Sequence, residues 1–273
     1  MRPLALSILV VCGVAYAGDL PGLDTTGLNA AALANLDLLL GEGPCPCDRS
    51  ARTNMKQCVQ AQSCPAATDL ARFAIAKLKA GMGMEEVREA LIKKYMDDHI
   101  TFEFDLRGTP AKGAKKPKVV IVEFADFECP HCAAMRSVLT DVVKAFPKQV
   151  SLHFKQFPLQ HHEYSLVAAR ASLAAHKQGR FWQMHDMIFA NQGSLEDDSF
   201  KNFAAELGLN LKQFETDLKS DEVGQRIQND LKEGQEGVHS TPTLFINGKY
   251  YHGEKTADGI TQHIRGMLKA PKK

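Results

Sequence analysis

The feature that most constrains this chain is the segment Lys118–Cys132, where an apolar run leads straight into Cys129-Pro130-His131-Cys132. From Lys118 to Phe124 both alternating faces are apolar apart from Lys118 itself and Glu123, the pattern of a central strand covered by helices on each side. Pro130 suits a first helical position, where its missing N–H costs no hydrogen bond, so a helix is predicted to begin at or just after Cys129. A strand, a short turn and a helix would then set two cysteines on a helix N-terminus, where unpaired N–H groups favour negative charge.

Thiol–disulfide exchange requires a reachable thiolate stabilised as an anion and a second thiol close enough to resolve the mixed disulfide. Cys129 and Cys132 meet those demands on this reading, and His131 between them adds a positive charge or a hydrogen-bond donor. Zinc sites and structural disulfides also use a Cys-x-x-Cys pair, but a tetrahedral zinc site needs two further ligands at compatible spacing, and no second such pair exists here. No metal and no cofactor beyond the cysteine pair is predicted.

The rest of the chain is patterned around that segment. Leu28–Leu40 is Ala- and Leu-rich and stops at Gly41, and Leu70, Phe73, Ala74, Ile75 and Leu78 recur at helical spacing, as do Val87, Ala90, Leu91 and Tyr95. Residues 18–98 therefore read as a small helical domain and 99–273 as a second one. Ile100–Leu106 alternates as a strand, and the Gly/Pro-punctuated basic stretch from Gly108 to Pro117 reads as a loop. Val150–Phe157 is a further predicted strand. Helical patterns dominate Ser165–Asp230, within an insertion at about 160–237. Thr243–Ile246 returns to strand, Asn247-Gly248 turns it into Tyr250-Tyr251, and Gly259–Leu268 closes as a helix.

Residues 1–17 read as a secretory signal, with Arg2, an apolar run from Leu4 to Val14 and small residues at Ala15-Tyr16-Ala17. That run is shorter than the roughly 20 residues a membrane-crossing helix needs, and no transmembrane segment is predicted in the mature chain. Cys12 would be discarded with the signal, leaving Cys45, Cys47, Cys58, Cys64, Cys129 and Cys132, an even set in an exported protein. With 33 basic and 32 acidic side chains the chain has no field to attract nucleic acid, so a protein partner is the expectation.

Four segments carry a family resemblance. Val122–Cys132 (VEFADFECPHC), Lys155–Leu159 (KQFPL), Gly179–Asp186 (GRFWQMHD) and Gly237–Gly248 (GVHSTPTLFING) are similar, in order and spacing, to the DsbA-like thioredoxin-fold family over about residues 100–270. The resemblance implies an α/β thioredoxin fold with an inserted helical block, preceded here by the small cysteine-containing helical domain. It implies a periplasmic thiol:disulfide oxidoreductase that acts on cysteine-containing protein substrates and is reset by a membrane or exported redox partner. It further implies a cis peptide bond between Thr241 and Pro242 beside the cysteine pair, with exposed backbone there to bind an extended substrate. Pro130-His131 is the intervening pair of the strongly oxidising family member, which implies an oxidase, whereas Thr241 resembles the choice of isomerases and reductases; a non-catalytic assembly or binding module on the same fold is the further alternative, against which the intact Cys129-Pro130-His131-Cys132 argues.

Glu123 occupies the place of the family's buried acidic residue and would accept the proton of Cys132; otherwise it is a strand glutamate paired with a lysine such as Lys155. Asp126 reads as a capping or turn residue, His161 and His162 as solvated loop side chains, and Trp182 as part of a helical core.

Cys45-Pro46-Cys47, Cys58 and Cys64, followed by Leu70–Phe73 and Ala80–Tyr95, resemble the three-helix domain of CcmH-type cytochrome c maturation proteins, although CxC stands where those have CxxC. The four cysteines are predicted to form two structural disulfides joining Cys45 and Cys47 to Cys58 and Cys64, stapling a domain whose core alone would be marginal. A second redox pair and a four-thiolate metal site are the alternatives, and spacing does not fix the pairing.

Overall fold

The computed structural model describes residues 20–48, 50 and 52–269, so the segment read as an export signal, with Cys12, lies outside the described residues. The chain divides into two compact units, one ending at Ile100 and the other beginning at Thr101.

The first unit holds α1 (Ala30–Glu42), α2 (Met55–Gln60), α3 (Pro65–Lys79) and α4 (Met84–His99). Asn29 caps α1 through its side chain, Asn54 and Gln57 close a reciprocal capping box on α2, and Pro65 opens α3 where no donor is lost. The helix α2 has too few residues to show a period, so the sequence did not announce it; its caps and a disulfide hold it. Leu36, Leu40, Val59, Leu70, Ala74, Ile75 and Val87 form the core. Two disulfides join Cys45 to Cys58 and Cys47 to Cys64, across 13 and 17 residues, and each contributes about 3 kcal/mol by restricting the unfolded chain.

The second unit is built on a five-stranded sheet. In chain order come β1 (Ala111–Gly113), β2 (Val119–Ala125), α5 (Pro130–Ala145) and β3 (Val150–Gln156). There follow α6 (Ser165–Lys177), α7 (Phe181–Ala190), α8 (Ser199–Glu206), α9 (Leu211–Lys219) and α10 (Asp221–Gly234). The chain ends in β4 (Thr243–Ile246), β5 (Lys249–Tyr250) and α11 (Ala257–Lys269). The strand order is β1-β3-β2-β4-β5; β2 and β3 run parallel across α5, and every other pairing is antiparallel. This is the thioredoxin fold with a helical insertion.

The apolar run before the cysteines becomes the central strand because both its faces are covered. Ile121 packs with Met135, Leu139, Ile260 and Ile264 of α5 and α11, while Val122 and Phe124 pack with Phe245, Phe102 and Phe157 on the other face. The helical block builds its own core around Phe181, Met184, Ile188, Phe200 and Phe214, and Phe154 and Phe127 join it from the sheet side.

Two local expectations are corrected. Ile100–Leu106 is not a strand of the sheet: Phe102 N–H donates to Gly248 C=O at 2.8 Å, and no ladder continues from it. The alternation is real, but it arises because Phe102, Phe104 and Leu106 lie against the sheet's face rather than along its edge. Conversely, the stretch read as a loop contains β1, paired through Ala111 with His153 and through Gly113 with Ser151. Gly113 allows this, since a Cβ there would lie 2.4 Å from the Val150 carbonyl oxygen.

Candidate functional site

Cys129 is the N-cap of α5 and Pro130 its first helical residue. The Cys129 carbonyl accepts from the N–H groups of Cys132 at 3.0 Å and Ala133 at 3.2 Å, so both cysteines share the first turn. Both are free thiols and both are buried, Cys129 with 6% of its surface exposed and Cys132 with none. The first sulfur is thus more enclosed than an open helix N-terminus suggests, because the loop before β4 folds over it. Pro130 and His131 are exposed beside it.

That loop carries the cis peptide bond between Thr241 and Pro242. Cys129 Sγ donates to the Thr241 carbonyl oxygen at 3.3 Å, so the backbone just before the cis-proline and the first cysteine are in direct contact. Glu123 and Thr243 sit on neighbouring strands, with Glu123 opposite Leu244 in the β2–β4 register, which brings the loop to the end of β2 where α5 begins. A groove of about 380 Å³ runs between His131, Met135 and Val138 of α5 and Thr241 and Pro242 of the loop.

Glu123 is buried in the middle of the sheet. Burial raises its pKa to about 8, and the positive charges of Lys112 and Lys255 only partly oppose that rise. Burial, reinforced by the charge of Glu123, pushes the Cys132 thiol well above the ordinary thiol range. The pairing of Glu123 with Lys155 does not occur, for a reason of register: Glu123 faces Phe154 across β2–β3, and Lys155 stands opposite Phe124 on the other face. Lys155 is instead bound to Asp230 at 2.9 Å and Glu233 at 2.8 Å, and it donates to the Asp105 carbonyl.

Asp126 is more than the turn residue expected. Buried just before the cysteines, it accepts from Glu128 N–H at 2.7 Å, Leu159 N–H at 2.7 Å, the Ser165 hydroxyl at 2.8 Å and His162 Nδ1 at 3.0 Å. It ties the turn that aims Cys129 to the loop entering α6, and it takes His162 out of the solvated class in which the sequence placed it, while His161 is exposed. A charged residue hidden from water among several donors is the signal that sequence alone lacked, since the donors come from residues up to 39 positions away. Trp182 is half-buried between two cores; its indole N–H donates to Ala111 C=O at 3.1 Å, and Lys112 lies over its ring. Among the described residues no cluster of three or more His, Cys, Asp or Glu side chains is arranged to hold a metal ion.

The chain belongs to the thioredoxin family, whose model matches residues 105–265, more than half of its length. Among solved structures it is similar to a thioredoxin-like oxidoreductase from Silicibacter pomeroyi DSS-3, with a TM-score of 0.53 and 26% identity over 60% of this chain and 94% of that one. It is also similar to a periplasmic thioredoxin-like protein from Salmonella enterica serovar Typhimurium, with a TM-score of 0.53 and 25% identity over 61% of this chain and 94% of that one. The thiol-disulfide exchange protein alpha-DsbA2 from Wolbachia pipientis shares the fold, with a TM-score of 0.55 and 23% identity over 60% of this chain and 89% of that one. The family match and these neighbours bear out the thioredoxin fold that the four segments implied. The chain spans about a quarter of the length of the curated relatives it matches, such as the Na(+)/H(+) antiporter NhaA of Herminiimonas arsenicoxydans, which is 36% identical over 55% of this chain and 24% of its own. The family match begins at residue 105 and so does not bear on the CcmH-type resemblance of residues 18–98. Among the described residues no helix is long and apolar enough to cross a membrane.

Proposed function

We propose that the chain is an exported, periplasmic thiol:disulfide oxidoreductase that donates disulfides to protein substrates through Cys129 and Cys132. The observation that carries this reading is the contact of the Cys129 sulfur, at the N-terminus of α5, with the carbonyl of Thr241 beside a cis-proline, while Cys132 lies buried one turn away. An extended substrate segment can pair with the backbone at Thr241 and so bring its own sulfur to Cys129.

In the oxidised enzyme a substrate thiolate attacks Cys129 Sγ. A substrate–Cys129 disulfide forms, the Cys129–Cys132 bond breaks, and its electron pair leaves on Cys132. Burial makes an anion costly there, so Cys132 takes up a proton, and Glu123, a neutral acid below pH of about 8, is the buried group that supplies it. A second substrate thiolate then attacks the substrate's own sulfur, its disulfide forms and Cys129 leaves reduced. A membrane or exported partner accepts the two electrons from the dithiol and restores the Cys129–Cys132 bond.

Thr241 before the cis-proline favours a second reading, an isomerase or reductase whose pair is kept reduced, including a role in cytochrome c maturation. The two disulfides of the first unit fit a structural role, with Cys45, Cys58 and Cys64 all buried. The test is turnover: the chain should accelerate oxidation of a reduced protein that requires disulfides, and Cys129→Ser should abolish that acceleration. Equal rates with and without the chain would exclude the oxidase.

A further inference from the structure

Lys255 stands between β5 and α11, outside the segments that carry the family resemblance. The residue is exposed as a whole, yet its ammonium turns inward and donates to the Pro242 carbonyl oxygen at 2.6 Å. It lines the groove that also contains His131, Met135 and Thr241. A lysine with freedom to reach water pays rotamer entropy and some hydration to be held at a carbonyl, which calls for a compensating interaction.

The surroundings supply one. The charges that Cys132, Cys129 and Glu123 can carry act on Lys255, His131 lines the same groove, and Lys112 on β1 is the other cation whose field reaches Glu123. Burial lowers the proton affinity of Lys255, and the negative charge that Cys132, Cys129 and Glu123 can carry opposes that loss. Lys112 is committed elsewhere, to the Thr140 hydroxyl at 3.1 Å and the Trp182 ring. Lys255 is therefore the cation tied to the cis-proline loop itself.

We propose that Lys255 is a positioning residue for the Cys129–Cys132 pair: its ammonium clamps the Pro242 carbonyl, and its positive charge stabilises the negative charge that appears when the disulfide is reduced. This rests on reading the pair as the exchange site. In reduction by glutathione, two glutathione thiols are oxidised to one disulfide, the Cys129–Cys132 bond takes up their two electrons and one of their two protons to give a sulfur anion and a thiol, and the other proton goes to the buffer. A cation nearby favours the reduced side and so makes the disulfide a stronger oxidant.

The experiment equilibrates the full chain in glutathione buffers and reads the redox state of Cys129 and Cys132 by mass spectrometry, for the wild type and for Lys255→Met, Lys255→Gln and Lys255→Arg. Lys255→Met is expected to lower the equilibrium constant for reduction by about three- to tenfold, the size of one charge at a half-buried site. Arg should restore it to within about twofold of wild type. Gln keeps a neutral donor for the Pro242 carbonyl, so it should recover thermal stability but not the constant. The wild type–Met difference should also shrink somewhat in high salt, because the charge is only half-buried.

Equal constants for all four proteins would overturn the proposal, as would recovery of the constant by Gln, which would leave a hydrogen bond and no charge effect. Oxidation of a reduced substrate by the wild type is measured in parallel. Its failure would sink the oxidase reading, whereas the glutathione constants still decide the role of Lys255.

Discussion

A carboxyl that folding keeps protonated leaves a signature in stability. Glu123 has a pKa of about 8 in the fold against an ordinary 4.5. Between those values the folded chain holds a proton that the unfolded chain has released, so stability falls as pH rises through the window and levels off above it. Glu123→Gln removes this titration without adding charge. The variant should gain on the wild type between about pH 5 and pH 8, by up to a few kcal/mol, as read by urea unfolding across pH, and it should exchange disulfides more slowly. A stability difference that does not change with pH would contradict a neutral buried carboxyl. Asp126→Ala should cost about 2–3 kcal/mol in the same assay, because it strands the buried hydroxyl of Ser165 and the half-buried N–H of Leu159. Glu123 was legible as a charge on an apolar strand; Asp126 was not, since its partners are brought to it only by the packed fold.

At the scale of elements, the pattern that announced β2 and α5 survives intact because it is set by burial on two faces and by a proline at a helix start. The hairpin Asn247-Gly248 was equally legible, with φ of 49° and 76° matching a tight primed turn. Gly248→Ala should destabilise the chain by about 1–3 kcal/mol, since a Cβ there would lie 2.6 Å from the Phe102 carbonyl oxygen as well as in a left-handed conformation, and thermal unfolding would read the loss. No change in the midpoint would mean that the Phe102 segment does not press on the turn. What misled at this scale was Ile100–Leu106, where period-two burial follows from lying on a sheet face as readily as from joining its edge. Three residues of β1 are too few to show any period.

At the scale of the molecule, each unit has its own apolar core, and the first adds two disulfides to a set of four helices. A reductant strong enough to open those disulfides is expected to remove hydrogen-exchange protection from α1–α4 while the sheet of the second unit keeps its own; loss in both at once would show that the two cores unfold as one. On the proposed function, Cys129 and Cys132 form a pair that gives disulfides away. The reduction potential of that pair, measured in glutathione buffers with the other four cysteines followed separately, tests it most directly. A potential near that of a strong disulfide donor, about −120 mV, is expected; a value near that of a general reductant, about −270 mV, would rule out the donor role.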